Sequence, residues 1–141
     1  YGRNVTLAIV NQFYLPTTEL LSVARDSEGN LLAYTWAKAY DRCVWSDDYM
    51  VSIRMAHVDM KLSARLRIQL VRDMMEIWDR FAQFARHTVI CSTTMRRNQD
   101  VFLKLHERSG YEVRGSYAYK IVNPLQATPA NSLDPEQKAE K

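Results

Sequence analysis

Glycine is scarce in this chain, which has only four among 141 residues. None of the four lies within residues 51–70, VSIRMAHVDMKLSARLRIQL, although this stretch changes from a strand-like to a helix-like pattern. A strand that leads directly into a helix commonly forms an anion-binding site, because the first N–H groups of the helix have no intrahelical partner. Glycine usually occupies the bend of such a site so that the ligand can approach the backbone. A glycine-rich phosphate loop is therefore excluded here.

Long apolar runs and strong net charge are also missing. No run reaches the roughly 18 apolar residues that a membrane span needs, and no signal-peptide pattern opens the chain, so we expect no membrane partner. A net charge of +3 is well short of the clustered basicity of a nucleic-acid-binding domain. Only two cysteines are present, Cys43 and Cys91, and without a secretory signal we expect buried thiols at both positions.

The hydrophobic pattern predicts a mixed α/β or α+β layer fold. Residues 49–58 alternate with period two, as in a half-buried strand, and residues 64–86 carry an apolar stripe at helical spacing. A turn containing Gly29 separates two strand-like runs, which indicates a hairpin. The predicted order is strand 4–10, hairpin strands 20–24 and 31–40, strand 49–58, helix 64–86, strand 87–93, helix 98–109 and strand 111–122. We expect a single domain over residues 1–122 whose N-terminal part is incomplete.

The last residues, 123–141, differ in composition from the rest of the chain. The segment NPLQATPANSLDPEQKAEK holds three of the four prolines and few residues that could be buried. This composition is typical of a polar tail or linker. If the tail is ordered, we expect a protein partner to hold it.

The order of elements and two local sequences resemble the GCN5-related N-acetyltransferase (GNAT) superfamily. In that family a strand enters a helix through a Q/R-x-x-G-x-G/A turn, whose amides bind the pyrophosphate of coenzyme A. Here the turn would fall on SARLRI at residues 63–68, and FLKLHERSGY at residues 102–111 is similar to a later family segment. The resemblance covers roughly residues 20–122. It implies a twisted mixed, mostly antiparallel sheet with helices on both faces and a splayed centre.

The resemblance also implies a site for acetyl-CoA. The coenzyme-binding residues carried over from the family are Ser63, Ala64, Arg65, Leu66, Arg67, Ile68 and Asn98. Leu66 and Ile68 stand where the family has small residues. We expect Leu66 to face the core with the apolar stripe of the helix, whereas Ile68 is expected to obstruct the phosphates. The two arginines either add charge to a phosphate site or decorate an exposed helix start.

Three residues are candidates for proton transfer. His57 or Asp59, at the end of strand 49–58, would accept the proton of an amine directly or through water. The alternative is an ordinary solvated histidine at a strand edge, and two ligands alone make a poor metal site. His106 corresponds to the tyrosine that often protonates the departing thiolate in the family. Histidine can exchange a proton near neutral pH, but a partly buried histidine without a catalytic role fits the same position.

Two functions follow as hypotheses. The first is transfer of an acetyl group from acetyl-CoA to an amine, with the amine left open by the sequence. The second is a GNAT-shaped structural or protein-binding component that has lost the chemistry, as the missing glycines suggest. Minor virion proteins of tailed bacteriophages are similar in plan, so we expect a location either in the cytoplasm or within a phage particle.

Overall fold

A computed structural model describes residues 2–43, 47–94 and 99–114 of the chain. Within these residues the elements are α1 (Gly2–Tyr14), β1 (Glu19–Arg25), β2 (Leu31–Arg42), β3 (Tyr49–Val58), α2 (Ala64–Ala85), β4 (Val89–Ser92) and α3 (Asp100–Arg108). The strands form one sheet in the order β1-β2-β3-β4. The first two pairings are antiparallel and the β3–β4 pairing is parallel. The predicted mixed, mostly antiparallel sheet is confirmed.

The hairpin between β1 and β2 is stabilised by Asp26. One oxygen of its carboxylate accepts hydrogen bonds from the backbone N–H groups of Glu28 at 3.0 Å and Asn30 at 2.8 Å. Gly29 adopts a φ of +87°, a backbone conformation that glycine reaches without a steric penalty. The hairpin predicted from the sequence is confirmed, and its local side-chain bonds explain the turn.

The hydrophobic core lies between the sheet and α2. Alternate residues of β2 (Ala33, Thr35 and Ala37) are buried on this face, as strand periodicity requires. Trp78 of α2 is fully buried, and its indole N–H donates a 2.8 Å hydrogen bond to the Thr35 hydroxyl. That hydroxyl donates in turn to the Met55 carbonyl of β3 at 3.1 Å. One chain of hydrogen bonds therefore connects α2, β2 and β3.

The predicted strand over residues 4–10 is wrong, because this segment belongs to helix α1. The local sequence is rich in β-branched residues, which favour strands. Packing against β1 favours the helix instead. Ala8 is buried, and the Gln12 side-chain carbonyl accepts a 2.7 Å hydrogen bond from the Leu21 N–H. Ala8 lies outside the core cluster beneath α2. The predicted fold class, helices packed on a mixed sheet, is confirmed.

The remaining elements agree with the sequence within a few residues. The helix predicted at 98–109 is α3, and the strand predicted at 87–93 is the shorter β4. Of the strand predicted at 111–122, residues 111–114 are described and form no strand. The rest of that strand and the tail 123–141 lie outside the described residues. Cys43 and Cys91 are both free thiols, and no described helix is both long enough and apolar enough to cross a membrane.

Candidate active site

The parallel strands β3 and β4 separate part of the way along the sheet. Their pairing runs from Met50–Val89 to Ile53–Ser92. β4 ends at Ser92, whereas β3 continues to Val58, so the end of β3 has no β4 residue beside it. Ligands of sheets with parallel strands commonly bind outside the carboxyl ends of those strands. Among the described residues, the region beside the end of β3 beyond Ser92, called the gap below, is therefore the candidate ligand site.

The N-terminus of α2 follows β3 at this end of the sheet. Ser63 is the N-cap, and its hydroxyl accepts a 3.3 Å hydrogen bond from the Leu66 N–H. The first backbone bond of the helix runs from the Arg67 N–H to the Ser63 carbonyl at 3.0 Å. The N–H groups of Ala64 and Arg65 have no acceptor within the helix, because they precede that bond. They stand at the positive end of the helix dipole, which favours an anion.

The side chains at the two family glycine positions lie opposite to the expectation. Leu66, expected in the core, is 39% exposed, whereas Ile68 packs against the core cluster. Ile68 stands two turns before the buried Met75 on the same face of α2. Leu66 stands one turn before Leu70, at the margin of the buried face. The steric obstacle to a phosphate at this turn is therefore the Leu66 side chain and not Ile68.

Arg67 carries an unpaired buried donor beside this turn. Its Nε atom is buried and has no hydrogen-bond partner among the described residues, and one terminal nitrogen lies 3.7 Å from the Met60 sulfur. A buried donor without an acceptor costs about 1–3 kcal/mol. Arg65 is exposed. An arginine donor and two free amides at one helix start are the donor set that phosphate oxygens accept from.

His106 of α3 is held by two hydrogen bonds. It is only 4% exposed; its Nδ1 lies 2.9 Å from the Phe102 carbonyl oxygen, and its Nε2 lies 2.9 Å from the Ser92 hydroxyl oxygen. A carbonyl oxygen only accepts, so in the neutral ring Nδ1 donates to Phe102. Nε2 then has the lone pair that accepts from the Ser92 hydroxyl. The two hydrogen bonds together select one tautomer.

The surroundings of His106 favour the neutral ring. Burial lowers its pKa, and the hydrogen bond with the Phe102 carbonyl opposes that shift in part. The ring contacts are aromatic, with ring centroids 4.2 Å away at Phe102, 4.9 Å at Tyr111 and 6.2 Å at Trp78. Burial also raises the pKa of Tyr111, with Asp79 adding to the effect, so this neighbour remains an uncharged phenol. His106 is consequently available as a proton acceptor at neutral pH.

His57 lies apart from Ser92 and His106. The exposed His57 ring stacks on Tyr34 of β2, with centroids 5.4 Å apart. Because Tyr34 and Thr35 are adjacent in a strand, His57 is on the sheet face opposite Trp78 and His106. The Asp59 carboxylate accepts a 2.9 Å hydrogen bond from the Lys61 N–H in the turn that leads to α2. Both residues are at the end of β3, as predicted, and whether either is a base remains a prediction.

Two further sequence expectations concern cofactors. Asn98, carried over as a coenzyme contact, lies outside the described residues. Residues 2–43, 47–94 and 99–114 contain no group of three or more His, Cys, Asp or Glu side chains that could hold a metal ion.

Ser92 is a candidate that sequence reasoning did not identify. It is the last residue of β4 and is half-buried at the point where β3 and β4 separate. Nothing in the stretch HTVICST distinguishes Ser92 from its neighbours, and His106 lies on a different element. The neighbouring thiol is a weaker candidate, because burial raises the pKa of Cys91, with smaller contributions from Cys43 and Asp41.

Comparison with known proteins identifies the fold. No family model matches the chain, and neither does any curated protein. Solved structures do match. AAC(6')-Iy, in complex with the bisubstrate analogue CoA-S-monomethyl-acetylneamine, is 15% identical, with a TM-score of 0.63 over 85% of this chain and 80% of that one.

Two other solved structures are of comparable similarity. Glucosamine-6-phosphate N-acetyltransferase from Arabidopsis thaliana is 11% identical, with a TM-score of 0.61 over 87% of this chain and 80% of that one. A transcriptional regulator from Bacillus halodurans C-125 is 11% identical, with a TM-score of 0.63 over 82% and 74%. The TM-scores establish the fold, and identities this low leave the activity open. The chain has the GNAT fold of these acetyltransferases.

Proposed function

We propose that this protein is an acyltransferase that binds acetyl-CoA at the N-terminus of α2 and transfers the acetyl group to an amine. The observation that carries the proposal is the unpaired buried Nε of Arg67, a residue of the same first turn of α2 that presents the amides of Ala64 and Arg65. The solved structure of AAC(6')-Iy holds a CoA-containing bisubstrate analogue on the same fold, which supports coenzyme A as the ligand.

The roles of the residues follow from their positions. Arg67 and the first amides of α2 would hold the pyrophosphate of the coenzyme, and Arg65 would add positive charge from the surface. Asn98 keeps its proposed coenzyme contact from the resemblance. Acetyl-CoA supplies the acetyl group as an activated thioester. His57 or Asp59 would take the proton of the amine, directly or through water, from the end of β3.

His106 can protonate a departing thiolate only after it has taken up a proton, because its resting Nε2 is an acceptor. Ser92 supplies the proton in the resting hydrogen bond. Any general acid role for His106 is therefore the second half of a cycle in which the histidine first acts as a base.

A second function is favoured by one observation. The exposed Leu66 side chain stands at a position where the family has a small residue, and a branched side chain there hinders phosphate oxygens. A catalytically degenerate GNAT-fold protein with a structural or binding role would tolerate this residue. A place in a bacteriophage particle, with a protein partner on the tail 123–141, stays a prediction.

The proposal predicts that Arg67→Gln weakens acetyl-CoA binding about 10- to 100-fold, since a hydrogen bond to a charged group contributes about 1.5–3 kcal/mol. Calorimetric titration with acetyl-CoA, repeated with desulfo-CoA, measures the loss. Arg72→Gln is the matched control, because Arg72 is an exposed arginine on the same helix and its replacement changes the net charge equally. Equal affinities in the two variants, or no heat with the unaltered protein at millimolar coenzyme, would contradict the proposal.

The position of Leu66 yields a second prediction. Leu66→Gly should tighten acetyl-CoA binding or make it appear, because the substitution removes the Cβ and the branched side chain from the phosphate path. Glycine in the first turn of α2 is expected to cost about 0.5–1 kcal/mol of stability. Ile68→Gly is the comparison, and it should destabilise the protein without improving affinity, since Ile68 packs on the core. Improved binding in the Ile68 variant alone would show that the obstacle was assigned to the wrong side chain.

A further inference from the structure

Ser92 and His106 have the arrangement of an activated nucleophile and its base. The Ser92 hydroxyl lies 2.9 Å from Nε2, and Nδ1 lies 2.9 Å from the Phe102 carbonyl oxygen. In hydrolases of the serine–histidine type, the base accepts from the serine and a third group orients the ring. Here a main-chain carbonyl takes the place of the orienting carboxylate. The imidazole is thereby held with its lone pair on the serine.

The burial of the two residues differs in a way that suits these roles. His106 is 4% exposed and has the rings of Phe102, Tyr111 and Trp78 around it, so the imidazole is largely shielded from solvent. Ser92 is half-buried and ends β4 at the gap proposed for the acyl donor. Its hydroxyl is the reactive group of the pair that a donor in the gap would approach.

We propose that Ser92 accepts the acyl group from an activated acyl donor, with His106 as its base, and holds it as an ester. The Ser92 oxygen attacks the carbonyl carbon of the thioester while its proton moves to Nε2 of His106. The tetrahedral intermediate collapses, the C–S bond breaks, and the thiolate takes the proton from Nε2. The products are the free thiol and acetyl-Ser92.

A second displacement completes the transfer. An amine, or water in its absence, attacks the ester carbonyl and gives a proton to Nε2. The C–O bond to Ser92 breaks, and the Ser92 oxygen regains a proton from the imidazolium. This two-step route replaces direct transfer to the amine with a covalent intermediate, gives the amine proton to His106 in place of His57 or Asp59, and adds a slow esterase or thioesterase activity. It rests on the proposed function only for the choice of acetyl-CoA as donor.

The test uses p-nitrophenyl acetate, an acyl donor without a coenzyme portion, so it does not depend on coenzyme binding. Intact-mass measurement is expected to show the gain of one acetyl group, and peptide mapping to place it on Ser92. Ser92→Ala should abolish the label, Ser92→Cys should move it to the new thiol, and His106→Gln should slow labelling by about 10²-fold or more. Cys91→Ala, the adjacent position in β4, is the control and should label as the unaltered protein does.

Release of p-nitrophenol alone is insufficient, because exposed imidazoles such as His57 can hydrolyse the ester without leaving an acetyl group on Ser92. The proposal is overturned if the folded protein gains no acetyl group at Ser92, or if labelling is as fast in a folded His106→Gln variant. Should that variant not fold, the presence or absence of the acetyl group on Ser92 of the unaltered protein decides the matter. Coenzyme titration of the unaltered protein, compared with its labelling, separates the two proposals: labelling without coenzyme binding contradicts only the acetyl-CoA function, and binding without labelling contradicts only the nucleophile.

Discussion

Replacing Trp78 by alanine is expected to lower the free energy of unfolding by about 3–5 kcal/mol, the range for deletion of a large aromatic from a core. Trp78 is fully buried, and its neighbours include polar side chains as well as apolar ones. Its N–H donates to Thr35, and its ring lies 6.2 Å from that of His106. Because single domains are stable by only about 5–15 kcal/mol, the variant should be close to unfolding. Urea denaturation followed by circular dichroism measures the change.

Substitutions at Thr35 separate the hydrogen bond from the packing. Thr35→Val keeps the shape but leaves the Trp78 N–H buried without an acceptor, and we expect a loss of about 1–3 kcal/mol. Thr35→Ser keeps the hydroxyl and should cost less, about the 0.8 kcal/mol of one buried methyl or methylene group. If the valine variant is as stable as the unaltered protein, the bond between α2 and β2 contributes nothing and the packing alone holds the helix.

Acid should destabilise the protein through His106. The pKa of this histidine is lowered in the folded state, so between that value and the ordinary value of about 6.5 the unfolded chain binds more protons than the folded one. The contribution of His106 to the free energy of unfolding is therefore fully present above about pH 6.5. It is lost as the pH falls towards the lowered pKa, by about 1.4 kcal/mol per pH unit. Below the lowered pKa the loss levels off.

The neighbours of His106 define the control for this effect. The described groups around the ring are Ser92, Trp78, Phe102 and Tyr111, and the pKa of Tyr111 is raised, so it stays neutral throughout the acid range. Burial raises the pKa of Asp79, with a further contribution from Glu76, so its contribution has the opposite sign and stabilises the folded state as the pH falls. In His106→Gln, unfolding free energies measured between pH 5 and pH 8 should lose this dependence. An unchanged slope in that variant would assign the acid sensitivity to another group.

The link between Trp78 and His106 joins these stability predictions to the site. The same tryptophan that ties α2 to the sheet forms one side of the His106 surroundings. We therefore expect the Thr35 and Trp78 variants to weaken acetylation of Ser92 as well as stability. The GNAT fold, seen in acetyltransferases and in a transcriptional regulator at similar TM-scores, does not by itself predict such chemistry.

Periodicity in the sequence was enough to place most of the sheet and the helix that defines the site. Strand 49–58 and the helix from Ala64 were predicted within one residue of their observed bounds. One face of each element is buried, so apolar residues recur with a period of two in the strand and 3.6 in the helix. The Asp26–Asn30 turn was also predictable from the sequence, because its hydrogen bonds join residues that are close together in the chain. The family resemblance added the expected location of a coenzyme-binding turn, which stays a prediction.

Tertiary structure decided what periodicity leaves open. Residues 4–10 have the local preference of a strand, but contacts with β1 make them part of α1. Leu66 and Ile68 both read as apolar helix residues, and only the position of the sheet beneath α2 determines which of them is covered. Ser92 and His106 are 14 positions apart in the chain and belong to different elements. Their hydrogen bond forms because β4 ends where α3 packs against Trp78. This contact between two elements cannot be predicted from the local sequence pattern of either one.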